Sequence, residues 1–152
     1  GEAFVLAAPD FVEGVSEVSV GSQRTDSGWS ITPSGLRDLL VSVGRDHPGA
    51  PPMLMTENGA AYDDPLTPDG SIDDARRIAY LEQHLLAVSD AIADGADVRG
   101  YLVWSLLDNF EWAFGNSKRF GIVWTDFVTQ ERIPKASAGF FSEVIRRNGL
   151  ET

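Results

Sequence analysis

The sequence predicts an α/β fold organised around a parallel sheet, and three observations carry that prediction. Two short apolar runs, 52–56 and 98–105, are continuous rather than alternating, the pattern of strands buried on both faces. Amphipathic helical stripes lie before, between and after them, and strands that alternate with helices build parallel sheets. Two strands alone leave sheet faces and edges without cover. A closed (β/α)₈ barrel takes about 250 residues, so this chain of 152 residues carries about two of its eight units and is incomplete as a stand-alone fold.

Each element follows from a local pattern. Residues 1–30 are rich in Gly, Ser and acidic side chains without a sustained period, and read as a long loop. That opening suggests a chain starting in the middle of something larger. Thr32-Pro33 is an N-cap followed by proline in the first turn, and Leu36, Leu39, Leu40 and Val43 form a helical stripe that ends before Pro48. The run 52–56 leads into Glu57-Asn58-Gly59, a strand running out into a turn. Ser71 and Asp74 have the spacing of a capping box before Ile78, Leu81, Leu85, Val88 and Ile92, and Gly95 stops that helix. A second strand covers 98–105, a hairpin is expected around 120–132, and Pro134 is expected to start a last helix bearing Phe140, Phe141, Val144 and Ile145, ended by Gly149.

Composition narrows the chemistry. The formal charge is -11, from 23 acidic and 12 basic residues, which disfavours a nucleic acid or an anionic membrane as partner. With no cysteine there is no disulfide, thiol nucleophile or Cys-based zinc site. The first residues lack a basic n-region, and the apolar run 101–107 is far too short to span a bilayer. A soluble, cytoplasmic protein is expected on those grounds. No Gly-rich phosphate loop occurs, His47 and His84 are not spaced as a metal pair, and the acidic stretch 63–74 lacks calcium-loop spacing. No cofactor and no metal are expected. The acidic stretch reads as a solvated loop and the histidines as surface or helix-edge residues.

Two constellations carry chemistry. Glu57 falls where a buried strand ends, which in a barrel enzyme is the active-site face; taken alone, Thr56-Glu57-Asn58-Gly59 is a weak signal and reads more readily as a tight turn beside a solvated glutamate. The second is Trp104-Ser105-Leu106-Leu107-Asp108-Asn109-Phe110-Glu111-Trp112. Aromatic rings stack on sugar faces and carboxylates accept hydrogen bonds from paired hydroxyls, so the set suits a pyranose. Taken alone it is also what core aromatics and a capping glutamate look like.

Together these residues resemble a known family. Met55-Thr56-Glu57-Asn58-Gly59-Ala60-Ala61-Tyr62-Asp63-Asp64 resembles the nucleophile motif of glycoside hydrolase family 1, the β-glucosidase family. The segment from Val98 through Trp104 and Glu111 to Trp112 resembles that family's sugar-binding loop after the last barrel strand. Lys118 to Asp126 followed by Lys135-Ala136-Ser137 resembles its C-terminal signature, and Gly28 to Leu36 the segment before its sixth helix. The resemblance runs from about residue 18 to 150 in the right order and spacing. It implies that the chain is the C-terminal part of a (β/α)₈ TIM barrel, with 31–152 holding its last helices and strands. It implies Glu57 as nucleophile, Trp104 as a wall of the glycone site, Glu111 as acceptor from the sugar O4 and O6 hydroxyls, Trp112 as a contact to O3, and Phe120 as lining of the same pocket. It also implies a cis Trp104-Ser105 peptide.

The family's acid/base glutamate belongs to an Asn-Glu-Pro motif that this sequence lacks. The implied activity is therefore that of a retaining β-glycosidase, releasing the terminal glucosyl unit of β-glucosides or short β-linked oligosaccharides once an N-terminal remainder of the barrel is present, covalently or as a separate chain. A glycone without a 6-phosphate is expected, because Glu111 would repel one; Lys118 is the residue that pulls against this expectation. The competing reading is a non-catalytic sugar-binding or assembly fragment.

Overall fold

The computed structural model describes residues 23–150. Most of the expected 1–30 loop lies outside the described residues. Within them the order is α1 (Pro33–Asp46), β1 (Met53–Asn58), α2 (Ala75–Ala93), β2 (Val98–Val103), β3 (Val123–Thr125), β4 (Arg132–Pro134) and α3 (Ala136–Arg147). β1 and β2 are parallel neighbours and β3 with β4 forms an antiparallel hairpin. The α/β class with a parallel strand pair is what the alternating pattern predicts.

The helices cover one face of the β1–β2 pair. Leu40 of α1 and Val88 and Ala91 of α2 pack with Val98, Met53, Met55 and Tyr101. A second cluster joins Tyr80 and Leu81 of α2 to Phe141 of α3, with Ala60, Tyr62 and Ile122 from the connecting loops. The other face is uncovered among the described residues: Leu54 is 60% exposed and Leu102 53%. Strands patterned for burial on both faces thus have one apolar face packed and one open, as expected of strands whose other face belongs to a barrel interior.

The ladder between β1 and β2 is irregular at a telling place. Met55 pairs with Tyr101 and Asn58 with Val103, so Thr56 and Glu57 together stand opposite the single residue Leu102. That is a bulge, an extra residue that bends a strand and re-aims side chains.

Several element ends depart from the sequence reading. No capping box forms at α2: Ser71 bonds Asp69, while Asp74 at the N-cap makes no cap bond to its own helix and instead accepts from the Ser137 backbone N–H at 2.8 Å. Pro134 closes β4 rather than opening α3, and α3 ends on Asn148 in the left-handed conformation, φ 51°. Gly95 does terminate α2, at φ 98°, with Gly95 N–H donating to Ile92 O and Ala96 N–H to Ala91 O. His84 is buried, not at a helix edge; its ring stacks on Tyr80 at 3.9 Å and its Nδ1 lies 2.7 Å from the Tyr80 carbonyl. No described helix is long and apolar enough to cross a membrane.

Candidate active site

Parallel strands deliver their carboxyl ends to one edge. β1 ends at Asn58 and β2 at Val103, so the loops that follow, starting at Gly59 and Trp104, rise side by side. They are stitched together: Trp104 N–H donates to Asn58 O at 2.9 Å. Gly59 lies so close to the Trp104 carbonyl that a Cβ there would fall 1.6 Å from its oxygen. The Trp104-Ser105 peptide is cis, the geometry implied by the resemblance.

A cleft of about 430 Å³ opens at this edge, lined by Glu57, Trp104, Glu111 and Trp112 together with Trp29, Asn58, Gly59 and Tyr80. Four of the five residues singled out in the sequence therefore meet in one place. Glu57 is exposed to the cleft, and among the described residues its carboxylate has no hydrogen-bond donor. Trp104 Nε1 donates to Glu111 Oε1 at 3.2 Å, which holds ring and carboxylate as one unit. A tight turn fixes Glu111, whose backbone exchanges both hydrogen bonds with Gly115. Trp112 stands out from the fold, 98% exposed, with its contact surface free.

Phe120 is placed apart from these four. It is 1% exposed and is not part of the cleft lining. It sits one layer behind, its ring 5.5 Å from that of Trp29. Trp29 is the wall residue that sequence reasoning left without a role; it lies 28 positions before Glu57, with no local pattern linking the two.

The larger omission is a buried charge cluster beneath the loops. Arg77 of α2, 1% exposed, pairs with Asp64 and with Asp74, and also donates to the carbonyl oxygens of Ala60, Phe120 and Arg119. Lys135 donates to Asp64 at 2.6 Å and to Asp108 at 3.1 Å. Asp108 also accepts from Arg119 at 2.6 Å and from the Gly121 N–H at 2.9 Å. Three carboxylates face three cations, the balance burial demands. The acidic stretch is thus not simply solvated: Asp64 and Asp74 are interior anchors, tying the loop after β1, the start of α2, the loop after β2 and the start of α3 to one another. Only the Asp74–Arg77 spacing is local; Lys135 reaches Asp64 across 71 positions, which no single-sequence pattern reports.

Comparison with known proteins identifies the chain. The family model "Glycosyl hydrolase family 1" matches residues 7–150. The chain belongs to that family. It is 47% identical over 143 residues to beta-glucosidase A of Thermotoga maritima, covering 94% of this chain and 32% of that protein. It is also 44% identical over 135 residues to a 6-phospho-beta-galactosidase of Streptococcus equi subsp. zooepidemicus, covering 88% of this chain and 29% of that one. The solved structure of beta-glucosidase from Thermotoga maritima in complex with glucoimidazole superposes with a TM-score of 0.84, 47% identity, 88% of this chain and 30% of that chain. The chain thus spans about a third of the length of the family 1 relatives it matches. Its fold is α/β, an incomplete portion of the family's (β/α)₈ barrel.

Proposed function

We propose that this family 1 chain supplies the nucleophile and most of the glycone wall of a retaining β-glycosidase, with glucose-configured β-glycosides as substrates. In this reading the barrel is completed by an N-terminal portion, joined or separate, which brings the acid/base glutamate. The observation that carries the reading is the convergence of Glu57, Trp104, Glu111 and Trp112 on one cleft at the carboxyl edge of the parallel strands, where barrel enzymes keep their chemistry.

The residues divide the work by their chemistry. A retaining enzyme needs two carboxyl groups about 5 Å apart. The Glu57 carboxylate attacks the anomeric carbon while the partner acid protonates the departing glycosidic oxygen, leaving a glycosyl ester on Glu57. Water, deprotonated by the same partner group, then breaks the ester with a second inversion at carbon. Trp104 offers its face to the sugar ring, and Glu111, oriented by Trp104 Nε1, accepts from sugar hydroxyls.

An unphosphorylated glycone is favoured for two reasons. Glu111 repels a 6-phosphate at short range. Lys118 is committed elsewhere, its Nζ donating to Asp26 O at 2.6 Å and lying 5.9 Å from the Phe114 ring centre.

The test is Glu57→Gly in the completed barrel. Hydrolysis of an aryl β-glucoside is expected to vanish while a glucose-configured inhibitor still binds, and azide is expected to restore turnover with an α-glycosyl azide as product. Undiminished hydrolysis by the variant contradicts the assignment. Inhibitor binding by a parent that has no hydrolytic activity favours the sugar-binding alternative, and faster turnover of the 6-phosphoglucoside contradicts the glycone assignment.

A further inference from the structure

The direction of Glu57 is not set by the strand that carries it. In a regular ladder, alternation fixes which face each side chain takes. Here Thr56 and Glu57 share one partner position opposite Leu102, so the ladder is interrupted at the very residue that must be aimed. Among the described residues the Glu57 carboxylate has no donor to hold it.

Its neighbour is held firmly. Tyr101 of β2 donates its hydroxyl to Asn58 Oδ1 at 2.6 Å, and the Asn58 amide also meets the Tyr80 hydroxyl from α2. Both rings are anchored in the helical layer: Tyr101 against Phe141 at 6.1 Å and Tyr80 stacked on His84 at 3.9 Å. The Asn58 carbonyl takes the Trp104 N–H. Burial pushes the Tyr80 phenol up to about 12 and raises that of Tyr101 as well, so both stay protonated at neutral pH.

We propose that Tyr101 and Tyr80, holding the Asn58 side chain at the end of β1, are positioning residues that fix the backbone beside Glu57 and so hold its carboxylate relative to Trp104. The inference rests on the reading of Glu57 as nucleophile and deepens it. The clamp takes over the aiming that a regular ladder would otherwise supply.

The test is Tyr101→Phe in the completed barrel, which removes one hydroxyl and keeps the ring on Phe141. The readout is the rate at which a 2-fluoro-β-glucoside labels Glu57 at saturating reagent, with the reagent's binding constant and the melting temperature measured alongside. Misaiming by a fraction of an ångström predicts a fall in the labelling rate of about 10- to 100-fold, with the binding constant and melting temperature close to the parent's. In an Asn58→Ala background, Tyr101→Phe is expected to have no further effect on the labelling rate. A labelling rate equal to the parent's, or an equal effect of Tyr101→Phe in both backgrounds, overturns the clamp while leaving the nucleophile assignment intact. Failure of the parent itself to label overturns both. Should Tyr101→Phe not fold, Tyr80→Phe removes the other hydroxyl from the same amide and is held to the same outcomes.

Discussion

Gly59→Ala is the substitution the structure forbids most strongly. The added methyl would lie 1.6 Å from the Trp104 oxygen, 2.7 Å from its carbonyl carbon and 3.4 Å from its Cα. All three are main-chain atoms, so no side-chain rotation relieves the clash. Reaching the 3.0 Å at which real contacts begin requires the two loops to part by about 1.4 Å. The Trp104-to-Asn58 hydrogen bond, 2.9 Å long, cannot survive that movement. Overpacking costs about 1–3 kcal/mol and the lost bond about 1 kcal/mol more, a destabilisation of roughly 2–4 kcal/mol. The functional loss is expected to be larger in proportion, because a displacement of about 1 Å between Glu57 and the Trp104 wall is worth about 10²-fold in rate. The assay is kcat/KM on an aryl β-glucoside in the completed barrel, with a thermal melt beside it. Gly139→Ala in α3 is the control: a Cβ there meets nothing within 4 Å, and the helix should gain up to about 1 kcal/mol. A Gly59→Ala enzyme with the parent's melting temperature and kcat/KM would refute the reasoning.

Two further predictions concern buried charge and pH. Lys135→Met removes the cation shared by Asp64 and Asp108 and leaves two buried carboxylates short of a partner, so the melt should report a loss of about 3–5 kcal/mol; a change below 1 kcal/mol would contradict the anchoring role. His84 is held below its ordinary 6.5 by burial. The folded protein therefore binds fewer protons than the unfolded chain once pH drops below 6.5; the contribution of the neutral ring is complete above that value and is lost as pH falls from it toward the folded value. Melts on either side of pH 6.5 should show this decline, and His84→Gln should flatten it, whereas an unchanged slope would show that another group governs.

What was legible in the sequence is what repeats locally. The stripe from Ile78 to Ile92 gives α2, Gly95 its end, and the two apolar runs give β1 and β2. Thr32-Pro33 marks the start of α1, though without a side-chain cap bond. That Glu57 and the 104–112 loop lie close together was readable because one is at the end of β1 and the other just after β2, and parallel strands place such ends together. Features set by distant partners were not readable. Asp74 has the spacing of a capping residue, but its carboxylate is drawn to Ser137 and Arg77 instead. Asp64 looks like one acid among many in a polar loop until Arg77 and Lys135 arrive from α2 and the start of α3. Phe120 has its ring beside that of Trp29, a contact that its own motif does not report. The bulge at Thr56-Glu57 follows from the registration of β1 against β2, which neither strand's sequence contains.

The central claim, that Glu57 is the nucleophile of a retaining glycosidase, is tested most directly by mapping where a 2-fluoro-β-glucoside attaches in the completed barrel. One equivalent of glycosyl ester is expected on the peptide that carries Glu57, with activity lost in step with labelling and regained as the ester turns over. A label on another carboxylate, or a fully active enzyme that inverts the anomeric centre and forms no ester, would contradict it.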